Sequence, residues 1–387
     1  MRDRRVFFLT GIRSEYDILA PVIAAVDATP ATRAEVIVTG AHLSSEFGLS
    51  VRQIEADGFH IVDRIESLTP LDSLKGRLDG AGRQLLGLAD LFERERPDFL
   101  VVMGDREESI TGAMAATYFR VPLVHIGGGD HADDGNVDNL IRHAVTKLSH
   151  LHMTASQRSS ERVRALGEED WRIHTVGAPG LDRLLSTRHI DEADLMRNLE
   201  FSWDKKGYVI VLYHPTIVDF SEAGKNMKMI LETTAEAGLP MIVLYPNTDP
   251  GNANIIDEIT KFCALQTNAR AYRYLTRELF VNLLRGAKAL IGNSSAGILE
   301  APSLNLPVVN IGLRQRGREH CENVIFVDYE KSQIRSAIQT AIFDVSFRAA
   351  VRDARNPYGD GKAGLRIAEI LQATELNDRL LKKPFIN

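Results

Sequence analysis

Asp98-Phe99-Leu100-Val101-Val102-Met103-Gly104-Asp105-Arg106-Glu107-Glu108 passes from an unbroken apolar run into a charged turn, with only Gly104 between them. A short run without a polar face fits a strand covered on both sides, as in a parallel sheet between helices. Glycine and charge at its end place chemistry where such sheets bind ligands. Outward from this stretch the same rhythm repeats. Strands are expected near Arg5-Thr10, Val36-Thr39, Phe59-Ile65, Phe99-Met103, Leu123-Ile126, Leu151-Thr154 and Ile173-Val176, with helix-period segments between them. The polar stretch Asp182 to Asp204 lacks a strand, and the rhythm restarts at Tyr208-Leu212. It continues near Met241-Tyr245, Ala271-Tyr274, Ala289-Gly292, Val308-Ile311 and Val324-Val327. The expected fold class is α/β, with two doubly wound parallel-sheet domains, 1–190 and 191–387, facing a cleft. From Ala363 onward one or two helices close the chain.

The 387 residues suit two globular domains, and 44% hydrophobic with 25% charged residues is ordinary globular usage. A net charge of −6 gives no reason to expect nucleic acid or an anionic membrane as partner. Cys263 and Cys321 form neither a disulfide framework nor a CxxC pair. The apolar stretch Val6 to Thr10 is too short for a signal-peptide core or a membrane span, so the expected location is the cytoplasm.

Polar and glycine residues cluster after the strands. Thr10-Gly11-Ile12-Arg13-Ser14-Glu15-Tyr16-Asp17 reads as a strand, a glycine turn and a helix capped by Ser14 with Asp17 in a capping box. An anion there would meet free amides, with Arg13 nearby. Asp105, fixed against Gly104 and beside Arg106, is placed for acid or base work, whereas Glu107 and Glu108 read as a solvated helix start. His125-Ile126-Gly127-Gly128-Gly129-Asp130 leads through His131 to a helix opened by Asp138, with Arg142 one turn on and Leu140, Ile141, Ala144, Val145 and Leu148 as its apolar face. The His and Asp density there (His125, Asp130, His131, Asp138, His143) admits a metal site, although no fixed ligand spacing is present.

In the second half, His214 ends the first strand and Asn247 lies just beyond the next. Gly292-Asn293-Ser294-Ser295-Ala296-Gly297-Ile298-Leu299-Glu300 offers hydroxyls and helix-start amides to a diphosphate, with Glu300 within reach of a ribose diol. Arg314-Gln315-Arg316-Gly317-Arg318 adds guanidinium groups suited to phosphates. Neither a G-x-G-x-x-G fingerprint at the first turn nor a Walker loop anywhere is present.

These motifs together resemble the hydrolysing UDP-N-acetylglucosamine 2-epimerase family. The resemblance runs from Thr10-Gly11-Ile12-Arg13-Ser14-Glu15-Tyr16 through Thr39-Gly40-Ala41-His42-Leu43-Ser44, Gly104-Asp105-Arg106, Ile141-Arg142-His143-Ala144-Val145-Thr146-Lys147 and Gly292-Asn293-Ser294-Ser295 to Arg314-Gln315-Arg316-Gly317-Arg318. It implies two Rossmann-like domains in the GT-B arrangement. Asp105, Asp138 and His214 would act in catalysis. Arg13, Arg106, Arg142, Asn247, Ser294, Ser295, Gly297, Glu300 and Arg314 would bind the nucleotide and substrate. The implied reaction eliminates UDP across C1 and C2 of UDP-N-acetylglucosamine and adds water, giving free N-acetylmannosamine without metal or redox cofactor. A homodimer or homotetramer joined through helices of the first domain is likewise implied.

Many family members carry His-Ile-Glu-Gly-Gly-Glu where this chain has His125-Ile126-Gly127-Gly128-Gly129-Asp130, so a family glutamate falls at Gly127. Either Asp130 or Glu107 would supply the missing carboxylate, or the work is distributed differently, and Asp130 is the expected replacement. The same change points to another sugar, UDP-2,4-diacetamido-2,4,6-trideoxyglucose, as the alternative substrate. A GT-B glycosyltransferase, a metal-dependent hydrolase that a chelator would silence, and a nucleotide-sugar sensor without turnover are the competing readings.

Overall fold

The structure, a computed structural model, describes residues 3–69, 74–131, 137–204, 206–216, 220–246 and 251–384. It divides into two compact units. Among the described residues, unit 1 holds those within 3–131, 137–183 and 358–384, and unit 2 those within 184–357.

Unit 1 is built on β1 (Arg4–Thr10), β2 (Thr32–Thr39), β3 (His60–Ile65), β4 (Phe99–Met103), β5 (Leu123–Ile126), β6 (Leu151–Thr154) and β7 (Ile173–Thr175). All pair in parallel in the order β3-β2-β1-β4-β5-β6-β7. Alternate residues of β1 serve opposite faces of the sheet. Val6 and Phe8 join one core with Tyr16, Leu19 and Ile23, while Phe7 and Leu9 join another with Leu88, Leu91 and Phe92. Burial of both faces is what the unbroken apolar runs require.

Unit 2 contains β8 (Val209–Leu212), β9 (Met241–Leu244), β10 (Ala269–Tyr272), β11 (Leu290–Gly292), β12 (Val308–Ile311) and β13 (Val324–Val327), again all parallel, in the order β10-β9-β8-β11-β12-β13. Val209, Val211 and Tyr213 face one core, and Ile210 and Leu212 the other. The strand expected near Ala271-Tyr274 lies two residues earlier, because Ala269 and not Tyr274 reaches the core.

The change of unit falls at Arg183/Leu184, a few residues before the expected 190/191 boundary, and the last segment returns to unit 1 instead of closing the second domain. Helix Ala363–Ala373 lays Ile367, Ala368 and Leu371 into the core of Tyr16, Leu19 and Ile23. Asp182 caps it, accepting from the amides of Ala363 at 3.0 Å and Gly364 at 2.6 Å. Arg172, 1% exposed, donates to the carbonyls of His150, Arg379, Leu380 and Lys382. Buried Glu168 accepts from Lys147 and Lys383 at 2.7 Å and pairs with His152 at 3.0 Å. Burial pushes the Glu168 carboxyl up, but these donors outweigh it and hold it at about 2. Burial lowers Lys383 to about 8.

Candidate functional site

In each sheet the strand order reverses once, between β1 and β4 in unit 1 and between β8 and β11 in unit 2. Open parallel sheets bind ligands beyond the carboxyl ends of strands at such reversals. Most of the residues singled out from the sequence stand at these two places.

In unit 1, Asp105 follows β4 and forms an ion pair with Arg142, which projects from helix Asp138–Leu148. Arg142 also donates to the Asp130 carbonyl and to Asn139 Oδ1, each at 2.9 Å. The Asp130 carboxylate accepts from Ser159 at 2.8 Å, and Arg162 reaches the Gly129 carbonyl at 3.2 Å. Asp105, Asp130 and Arg142 therefore belong to one network, and Asp138 opens the helix that carries the arginine. The pairing fixes Asp105 beside a cation.

The first helix differs from its expected cap. It starts at Arg13 with Ile12 as the N-cap residue, so Ser14 lies inside the first turn and caps nothing, and Asp17 pairs with Arg183. The Gly11 amide is not open to an anion, because it donates to Glu15 at 2.9 Å. Arg13 is exposed on that first turn.

Glu108 is a further correction. It is only 6% exposed, on the inward face of helix Glu107–Phe119 with Thr111, Gly112 and Ala115, and is not a solvated helix start. Its carboxylate lies against Gly11, where a Cβ would come within 2.0 Å of Oε1, and it accepts from Arg106 at 3.1 Å. Glu15 and Glu108 thus flank one glycine. Burial and then the Glu108 charge push the Glu15 carboxyl up to about 8. Glu107, partly buried, pairs with Arg77. Nothing in a linear motif marks the Glu15–Glu108 pair.

The apolar face of helix Asp138–Leu148 is narrower than expected. Val145 is buried and Ile141 and Leu148 pack against the core, but Leu140 is 70% exposed and Ala144 also faces outward. His125 hydrogen-bonds the Gly104 carbonyl at 2.8 Å and Thr146 at 3.1 Å, and burial lowers it to about 3, which keeps it neutral. Among the described residues no group of three or more His, Cys, Asp or Glu side chains is placed to hold a metal ion.

In unit 2, β11 ends at Gly292, whose φ of +140° and approach to the Leu212 carbonyl leave no room for a Cβ. Asn293 there clamps the main chain of His214 beyond β8, and its own carbonyl accepts from Arg314 at 3.1 Å and Gln315 at 3.0 Å. Ser294 and Ser295 follow, half-buried, before helix Ala296–Leu299. Gly297 is turned toward Val308, where a Cβ would lie 2.8 Å from Cγ1, so its local role is helix-to-sheet packing. Arg277 donates to Glu300 Oε1 at 3.1 Å, while Oε2 is buried and meets no partner among the described residues. Burial raises the Glu300 carboxyl. An orphaned buried acceptor beside a strand-end turn suits a hydroxyl-bearing ligand. Asn247 lies outside the described residues.

The family model described as UDP-N-acetylglucosamine 2-epimerase matches residues 24–372, and the chain belongs to that family. A UDP-N,N'-diacetylbacillosamine 2-epimerase (hydrolyzing) of Legionella pneumophila is 32% identical across 98% of both chains. A GDP/UDP-N,N'-diacetylbacillosamine 2-epimerase (hydrolyzing) of Campylobacter jejuni is 32% identical across 84% of each. The fold matches the crystal structure of UDP-GlcNAc 2-epimerase from Neisseria meningitidis bound to UDP-GlcNAc, with a TM-score of 0.78 at 20% identity over 96% of this chain and 100% of that one. Among the described residues no helix is long and apolar enough to cross a membrane.

Proposed function

We propose that this protein is a hydrolysing 2-epimerase of a UDP-sugar. The observation that carries the reading is the Asp105–Arg142 pair at the unit 1 reversal, in a chain whose unit 2 reversal presents Ser294, Ser295, His214 and Arg314. Breaking the C1–O bond to a diphosphate while the C2 proton leaves demands a base at carbon and stabilisation of the departing anion. Asp105 and Asp138 are assigned the proton transfers at the sugar, and Asp130 stands in for the carboxylate missing at Gly127. Ser294, Ser295, Arg13, Arg314 and His214 receive the phosphates, Glu300 Oε2 a ribose hydroxyl, and Asn247 another ligand contact. The C–H electron pair forms the C1=C2 bond of a glycal and UDP departs. Water then adds at C1 and a proton at C2 from the opposite face, giving the free 2-epimer and UDP.

The names borne by the Legionella and Campylobacter relatives favour a 2,4-diacetamido-trideoxyhexose over the N-acetylglucosamine that the motifs alone suggested. Proton NMR in deuterated water with each UDP-sugar decides the matter. Release of UDP with a free, C2-deuterated 2-epimer from the diacetamido substrate is expected, with UDP-N-acetylglucosamine turned over more slowly to N-acetylmannosamine. Transfer of sugar only to an added acceptor, or binding without turnover, would overturn the reading. Activity in the cytoplasm and self-association through unit 1 helices belong to the same proposal. Leu78, Leu86, Tyr118 and Leu140 are each at least 70% exposed on those helices, and light scattering at micromolar protein should show a homodimer or homotetramer.

A further inference from the structure

Three strand ends of unit 2 meet at one residue, Asn293. The His214 amide donates to Asn293 Oδ1 at 2.7 Å, and Asn293 Nδ2 donates to the His214 carbonyl at 2.8 Å, a closed pair between a side-chain amide and the main chain of one residue. The β8–β11 ladder ends at Leu212 and Gly292, with the Asn293 amide bonded to the Leu212 carbonyl at 3.2 Å. Past that point the Asn293 side chain continues the ladder, and Pro215 has no N–H with which to extend it. The Asn293 carbonyl meanwhile accepts from Arg314 and Gln315, both beyond β12. At 1% exposure, water does not substitute for these bonds.

We propose that Asn293 is the positioning residue of the unit 2 site, its side chain setting His214 in register with Ser294 and Ser295. The proposal rests on the reading of His214 as a substrate-facing group. Only a side-chain amide supplies both halves of the clamp. An aspartate offers two acceptors and sets a negative charge against the His214 carbonyl; serine is too short to span both atoms. Once protonated, however, an aspartic acid again has one donor and one acceptor.

The test uses the full-length protein with Asn293→Asp, Asn293→Ser, His214→Ala and the Asn293→Ser/His214→Ala pair. In Asn293→Ser, kcat for UDP release is expected to fall about 100-fold, the scale of a 1 Å misplacement. The same change in the His214→Ala background should cost less than about threefold, because the two act as a unit. Asn293→Asp should regain activity relative to wild type as pH falls from 8 to 5.5, which a purely structural defect would not do. Equal losses in both backgrounds, or a pH-independent Asn293→Asp deficit, would overturn the proposal. Should the wild type release UDP from neither sugar nucleotide, the functional reading fails, and hydrogen exchange at the His214 amide decides the clamp by itself. Faster exchange in Asn293→Ser, which removes the acceptor of that N–H, supports it, and unchanged protection overturns it.

Discussion

Glu15→Gln is expected to stabilise this protein by an amount that grows with pH. In the unfolded chain the Glu15 carboxyl loses its proton near 4.5, whereas in the folded protein burial and the neighbouring Glu108 hold it until about 8. Across that window the unfolded chain gives up a proton that the folded chain keeps, so folding stability falls as pH rises. The window is roughly 3.5 pH units wide, and at about 1.4 kcal/mol per unit its ceiling is about 5 kcal/mol. Part of the effect belongs jointly to Glu108, so a gain of about 2 kcal/mol at pH 8 is the working expectation. Glutamine retains an oxygen for the Gly11 amide and turns an N–H donor toward its surroundings where the acid would have kept its proton. Thermal unfolding of both proteins at pH 5, 6.5 and 8 measures the effect. Melting temperatures should nearly coincide at pH 5 and separate by several degrees at pH 8, the variant being higher. A constant gap across the series, or a variant less stable at every pH, would refute the buried acid pair.

Asp105→Asn should lower kcat for UDP release by about 10²- to 10⁴-fold with little change in melting temperature, the cost of losing a group that moves a proton. Glu168→Gln leaves Lys147, His152 and Lys383 facing a neutral amide and should cost about 3 kcal/mol in urea unfolding at pH 7. The stabilisation that Glu168 supplies is present above pH 4.5 and should fade toward pH 2. His42, His125 and His150 are lowered chiefly by burial to about 4, 3 and 4. Unfolding therefore takes up protons below pH 6.5, and the urea midpoint should drop by an increasing step from pH 7 to pH 5.

The parallel sheets were legible because strands buried on both faces leave uninterrupted apolar runs, as in Phe99–Met103 and Val209–Leu212. Of the candidate site, what the sequence could place are the side chains just beyond strand ends, such as Asp105 and Ser294. What escaped depends on partners distant in sequence. Glu108 looks like any acid in a first helical turn until Gly11 and Glu15 are set beside it. Ser14 looks like a cap until Ile12 is found extended and Glu15 folds back onto Gly11. The return of the last segment to unit 1 is written in Asp182, which caps helix Ala363–Ala373, and in Arg172, which holds the carbonyls of Arg379, Leu380 and Lys382, and neither announces a partner so far along the chain.

That return gives biosynthesis a schedule. When residue 183 leaves the ribosome, the core around Tyr16, Leu19 and Ile23 still lacks Ile367, Ala368 and Leu371. At about 5–20 residues per second the missing helix arrives on the order of ten to forty seconds later, after all of unit 2. The second half of the chain is thus able to reach its native form first, while the earlier half waits with apolar surface uncovered. A nascent chain stalled before Ala363 should be the species that chaperones hold.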